Sequence, residues 1–366
     1  MLEKSKSLAV IILFSAMLGL FSISHALLAD AAVSYSERRL LARFPAVTSR
    51  DLFSGRLADE LEEYLADQFP SRESFRALKA AVQLWLLRQK DKDGLYYADG
   101  HLLKLEYPLR EHAVLQAADK FRALYDTYLQ GMRVYYAIIP DKNYFVAAKN
   151  GYPAMDYRRL ESLLAGRLQG MKYISLFECL ELADYYRTDL HWRQECLLPV
   201  VDRLAREMDL PRRLSSVQYE KVALFPFYGA YYGQYGLPLP PEELVYLTNT
   251  AIEQATVKYY GQGEPAAVYD TSRFTGVDPY DVFLSGPVPL VEIENKLSFT
   301  EKELIMFRDS FGSSLAPLLL AAYRKITLVD LRYMSPALLG KMLDFDRQDV
   351  LFLYNTQILN HGEMLK

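Results

Sequence analysis

An excess of positive charge is missing from this chain: 42 lysines and arginines face 46 aspartates and glutamates, a net charge of −4 with a pI near 5.9. Nucleic acid is therefore not an expected partner. Internal repeats and low-complexity tracts are missing too, which excludes a solenoid. Cysteine is scarce, with Cys179 and Cys196 alone. In an exported domain the pair can form one disulfide bracing the segment between them, or remain two separately buried thiols; spacing does not decide. Five histidines leave few candidates for a catalytic base, and nothing calls for a metal or an organic cofactor. Tryptophan is rare, two against 28 tyrosines. Aromatic faces with polar tips suit sugar rings, and equally suit half-buried strands.

What is present is apolar bulk, 51% of 366 residues, enough for one large domain with an inserted subdomain. At the N-terminus, Lys4 and Lys6 precede an apolar run from Leu8 to Phe21 whose character continues to Leu28. Cations before such a run make a signal anchor or signal peptide, with the remainder exported. A run of about 20 residues matches one bilayer crossing, while Ser24-His25-Ala26 and Ala29-Asp30-Ala31 offer small-x-small cleavage sites. Length favours a retained anchor within residues 1–32, placing the chain at the cell membrane with an extracytoplasmic domain; cleavage would make it secreted.

Residues 33–110 read as a lead-in. Leu57, Leu61, Tyr64, Leu65 and Phe69 have amphipathic-helix spacing, Pro70-Ser71-Arg72 breaks that helix, and a second runs to about Arg88. Leu95-Tyr96-Tyr97 and His101 to Leu105, around Ala98-Asp99-Gly100, form a hairpin. From 111 to 366 the pattern is α/β. Strands are expected at Arg133 to Ile139, Tyr173 to Phe177, Leu304 to Phe307, Ile326 to Leu331 and Val350 to Tyr354, with helices between them. Short helical crossovers imply a parallel sheet. Residues 211 to 300 interrupt this as a partly β insertion; its glycine-aromatic stretch Phe225 to Gly236 argues against a regular helix.

Polar groups follow several of those strands, and an open parallel sheet works at its carboxyl ends. After Leu304 to Phe307 comes Arg308-Asp309-Ser310-Phe311-Gly312, a strand-turn-helix in which a serine sits beside the positive end of a helix. Ser310 is the candidate nucleophile; Ser313 and Ser314 better suit the helix start. In Tyr185-Tyr186-Arg187-Thr188-Asp189-Leu190-His191-Trp192, Asp189 can hold the His191 tautomer that faces a serine. Asn355 and Lys142 also end strands, though Asn355 equally suits a helix cap. Lys142 and Tyr228 are candidate substrate contacts, with a solvated loop charge the competing reading of Lys142.

The Thr188-Asp189-Leu190-His191-Trp192 element resembles the signature of the DHHW family, with Leu190 in place of the named histidine. That family is similar to the alginate O-acetyltransferase group of SGNH-like hydrolases and transferases. Ser36-Glu37-Arg38-Arg39, Asp67-Gln68-Phe69-Pro70-Ser71-Arg72, Ile139-Pro140-Asp141-Lys142 and Arg308-Asp309-Ser310-Phe311-Gly312 also resemble family segments, in order. The resemblance implies a permuted SGNH-like sheet in which Asp-x-His precedes the serine, and Ser310, His191 and Asp189 as nucleophile, base and orienter. It also implies an oxyanion hole drawing on Asn355 and Gly229, a polysaccharide substrate, and a membrane-bound O-acyltransferase that relays acetyl. Arg308 departs from the glycine of a Gly-Asp-Ser block. A carbohydrate acetyl esterase and a non-catalytic polysaccharide-binding or assembly protein stay open as alternatives.

Overall fold

The computed structural model of the chain describes residues 2–34, 36–47, 54–261 and 263–366, with side chains from Ser5 onward. Tyr35 and Phe53, and the side chain of Lys4, lie outside the described residues. The chain forms two compact units, Met1–Asp93 with Tyr232–Leu239, and Gly94–Tyr231 with Pro240–Lys366.

The first unit opens with the helix Leu2–Leu27. Its stretch Ser5–Leu27 has a mean hydropathy of 2.2, is unburied throughout, and is long and apolar enough to cross a membrane. Strands β1 (Val33–Ser34) and β2 (Arg39–Leu40) pair antiparallel. Helices Arg56–Asp67 and Arg72–Ala81 follow, separated at Ser71, where the backbone turns left-handed. Glu37 accepts from Arg39 Nε at 2.9 Å and Arg72 Nη2 at 2.6 Å, and Arg39 also clasps the Asp67 carboxylate. Two of the motif segments, residues 36–39 and 67–72, are thereby ion-paired to each other.

The second unit contains β3 (Leu95–Ala98), β4 (His101–Lys104), β5 (Arg133–Ile139), β6 (Lys172–Ser175), β7 (Glu220–Phe227), β8 (Glu242–Thr248), β9 (Thr256–Tyr259), β10 (Leu290–Glu294), β11 (Glu303–Arg308), β12 (Lys325–Val329) and β13 (Asp349–Asn355). Among the described residues, seven strands make the main sheet in the order β6-β5-β13-β11-β12-β10-β9. From β6 to β12 all neighbours are parallel; β10 and β9 are added antiparallel at the edge. The expected α/β class with a largely parallel sheet is the one found.

Alternation along each strand divides the core in two. Leu304, Met306, Leu351 and Leu353 pack on one face with Val200, Val201 and Leu204 of helix Leu198–Glu207 and with Leu315 and Leu319 of helix Phe311–Leu319. Ile305, Phe307, Val350 and Phe352 pack on the other with Val114, Ala117 and Phe121 of helix Glu111–Leu124 and Leu160 and Leu164 of helix Tyr157–Arg167.

Residues 211 to 300 do not stand apart. Within them β9 and β10 complete the main sheet, and only β7 and β8 form a separate ribbon. The glycine-aromatic stretch is also corrected, since Ala230–Tyr235 is helical. Its Gly233 meets the Ser36 backbone so closely that a Cβ would lie 1.4 Å from the Ser36 carbonyl oxygen. Glycine serves close approach there, which overrides its weak helix propensity.

Candidate active site

Strand β11 ends at Arg308, and the Asp309 carboxylate then closes the turn. It accepts from Phe311 N at 3.0 Å and from Asn355 N at 2.7 Å, tying the ends of adjacent strands β11 and β13 together. Ser310 is the N-cap of helix Phe311–Leu319, half-buried, with no side-chain capping bond of its own. Its hydroxyl is therefore left for other work. Gly312 is dictated by contact: a Cβ there would sit 2.7 Å from the Arg308 Cβ. Arg308 is itself buried, 3.8 Å from the Asp330 carboxylate that Arg332 already engages at 2.6 and 2.9 Å. Burial lowers its pKa from the usual arginine range.

The Tyr185–Trp192 loop brings the other partners. A bridge between Tyr185 and Trp192, and Tyr186 N donating to His191 O at 3.1 Å, fold it back on itself. Asp189 is fully buried; its Oδ1 accepts from His191 N at 2.9 Å and lies 2.6 Å from His191 Nδ1, while Oδ2 accepts from Ala230 N at 2.6 Å. His191 Nε2 lies 2.7 Å from Ser310 Oγ, across 119 residues of sequence. A carboxylate can only accept, so Nδ1 carries the ring proton and Nε2 presents its lone pair to the serine hydroxyl. The imidazole is clamped flat by the Tyr280 ring, 3.7 Å away and inclined by 6°. Tyr280 OH and Trp192 Nε1 both donate to Ser314 Oγ at 2.8 Å. Ser314 is thus a buried anchor. Leu190 packs against the apolar core, away from the polar pair.

Other sequence-derived assignments need revision. Asn355 Nδ2 donates one proton to Ile139 O at 3.2 Å and Oδ1 accepts from Gln357 N at 2.9 Å, so the side chain caps the helix Thr356–Asn360 and braces the end of β5. The Gly229 N–H is likewise committed, to Thr188 Oγ1 at 2.9 Å. What Gly229 supplies is proximity: a Cβ would lie 2.3 Å from Asp189 N, and its absence lets the next N–H reach the Asp189 carboxylate. Lys142 is neither a solvated charge nor a substrate contact. It is buried, donates to Tyr186 O at 3.0 Å and Arg187 O at 3.4 Å, and burial pushes its pKa down to about 7. Tyr228 is half-buried just beyond β7. Cys179 and Cys196 are free thiols; burial raises both pKa values, that of Cys196 to about 11.

Sequence reading missed Tyr280 and Glu242. The Glu242 carboxylate accepts from Arg187 N at 2.8 Å and Thr188 N at 3.0 Å, shaping the loop just before Asp189. Neither has a local signature: one glutamate in a β-ribbon and one tyrosine among 28 look like any other. Among the described residues no group of three or more histidine, cysteine or carboxylate side chains is placed to hold a metal. The Ser310 N–H points into no protein acceptor among the described residues, and the start of a helix surrounds it with partial positive charge.

The chain matches no family model and no curated protein. Solved structures do resemble it. A DHHW family protein from Eubacterium siraeum aligns over 74% of this chain and 92% of its own, with 19% identity and a TM-score of 0.59. PatB1 of Bacillus cereus aligns over 74% of this chain and 98% of its own, also with 19% identity and a TM-score of 0.59. PatB1 with a sulfonyl adduct gives 18% identity and 0.57. The O-acetyltransferase domain of Pseudomonas putida AlgJ aligns at 15% identity with a TM-score of 0.42, too loose a likeness to carry an inference. The fold of this chain, with Asp-x-His ahead of the serine, is the fold of a DHHW family protein.

Proposed function

We propose that this chain is an extracytoplasmic O-acetyltransferase, anchored by its N-terminal helix, that acetylates a polysaccharide through an acyl-serine. The observation that supports it most is the continuous relay Asp189 Oδ1, His191 Nδ1, His191 Nε2, Ser310 Oγ, with links of 2.6 and 2.7 Å. In the first half-reaction His191 Nε2 takes the Ser310 proton as Oγ bonds to an acetyl carbonyl carbon. The Ser310 N–H holds the resulting oxyanion, a contribution of about 3 kcal/mol for such a donor. Collapse breaks the bond to the leaving alcohol, which receives the proton from His191. In the second half a sugar hydroxyl gives its proton to His191, attacks the acyl-serine, and Ser310 leaves with the proton returned. Water in place of the sugar would make the same site an esterase. An exported enzyme has no cytosolic acetyl donor at hand, so the acetyl must cross the bilayer, which calls for a membrane-bound O-acyltransferase as relay partner.

The test uses a sulfonyl fluoride, which transfers its sulfonyl group to an activated serine with loss of fluoride. The full chain should gain one sulfonyl group on Ser310 and lose turnover of a chromogenic acetyl ester, with Ser310→Ala neither labelled nor active. Acetyl appearing on an added glycan supports transfer, and release to water alone supports the esterase. Ester turnover unchanged in Ser310→Ala would overturn both.

A further inference from the structure

The helix Arg72–Ala81 and its continuation Val82–Leu86 carry a second, unassigned surface. Phe75, Leu78, Val82, Trp85 and Leu86 recur at helical spacing on one face and are 45, 60, 37, 71 and 74% exposed. The opposite face is already used, with Ala80 fully buried and packed by Gly236. A stripe of large apolar side chains left in water is a docking surface. We propose that this stripe lies in the interfacial layer of a lipid bilayer and seats the first unit on the membrane, an inference that rests on the reading of Ser5–Leu27 as a span.

Continuity selects lipid as the occupant. Phe21, in the last two turns of that stretch, stacks on Phe69 at 5.1 Å and meets Phe75 at 5.8 Å, and Phe69 and Phe75 are 5.6 Å apart. The stripe therefore begins beside the last two turns of the apolar helix. Counted from Ser5 at ~1.5 Å per residue, Phe21 lies ~24 Å along a hydrocarbon core of ~30 Å, in its outer part just beneath the headgroup boundary. Phe75 shares that depth by contact, and a helix continuing from it can run along the surface. Lys79 on the same helix and Arg88 just past its end are exposed, and such long cationic side chains can reach lipid phosphates while their stems stay apolar. Trp85 is the side chain favoured at such a boundary.

The chain's two tryptophans make the test direct, because Trp192 is fully buried and Trp85 is not. The full chain is reconstituted in phosphatidylcholine–phosphatidylglycerol vesicles whose lipids carry bromine near the headgroup. Emission should shift to the blue and be quenched, and Trp85→Phe should abolish both effects. Leu78→Glu combined with Leu86→Glu, at exposed positions, should abolish quenching while Trp192 emission persists. Resistance to alkaline extraction reports the span separately. Retention with unquenched Trp85 overturns the docking proposal and leaves the anchor standing; extraction of a chain whose Trp85 is quenched supports docking and removes the anchor.

Discussion

Replacing Asp189 by Asn tests the relay at its most buried point. The carboxylate is fully buried and takes three donors, His191 N and Nδ1 on Oδ1 and Ala230 N on Oδ2. An amide has one acceptor oxygen, so one side must fail. If the oxygen faces Ala230, the NH2 faces Nδ1 and forces the ring proton onto Nε2, which then donates to Ser310 and cannot act as its base. If the oxygen faces His191, the tautomer survives, but the NH2 opposes the Ala230 N–H and no anion balances the imidazolium. An unmet buried donor costs about 1–3 kcal/mol of stability. Loss of the correct tautomer and its counter-charge costs far more in rate, about 10⁴-fold or ~5.5 kcal/mol, the scale known for serine-histidine-aspartate relays. The assay pairs initial rates on a chromogenic acetyl ester with thermal unfolding of the same preparation. Asp189→Asn should be folded and nearly inactive, and the double variant with Ser310→Ala should be no slower than Ser310→Ala alone, because the groups act as a unit. A rate within tenfold of the parent, or multiplicative losses in the double variant, would refute the reasoning.

Gly229→Ala places a Cβ 2.3 Å from the Thr188 and Asp189 backbone. It should cost about 1–3 kcal/mol by overpacking and disproportionately more in rate, read by unfolding and turnover side by side; parental turnover would count against the close-approach role. Lys142 has its pKa depressed to about 7 against a usual 10.5. Below pH 7 it is charged in both states and the full burial penalty weighs on the fold; between 7 and 10.5 only the unfolded chain binds the proton, so stability rises with pH. Urea unfolding of the parent and Lys142→Met should therefore show the parent gaining across that window, by at most about 5 kcal/mol. A pH-independent difference would mean that Lys142 does not titrate there.

Local pattern carried much of this protein. The apolar run at the N-terminus, the compact β-branched strands and their abrupt ends, and the Asp-x-His and Arg-Asp-Ser-Phe-Gly turns are all properties of neighbouring residues, and periodicity and turn chemistry express them directly. Strand order was another matter. That β13 threads between β5 and β11, and that β9 and β10 from the interrupting segment complete the sheet, depends on pairings between distant stretches that no window of sequence contains. The same limit applied at the site. His191 and Ser310 could be named from their turns, yet Tyr280 stacked on the imidazole, Glu242 holding the loop, and Asn355, Gly229 and Lys142 serving as braces follow only from which backbone groups end up buried beside them. A side chain's chemistry is written in its own residue, whereas the donors and acceptors left for it to meet are decided by the packing of the whole sheet.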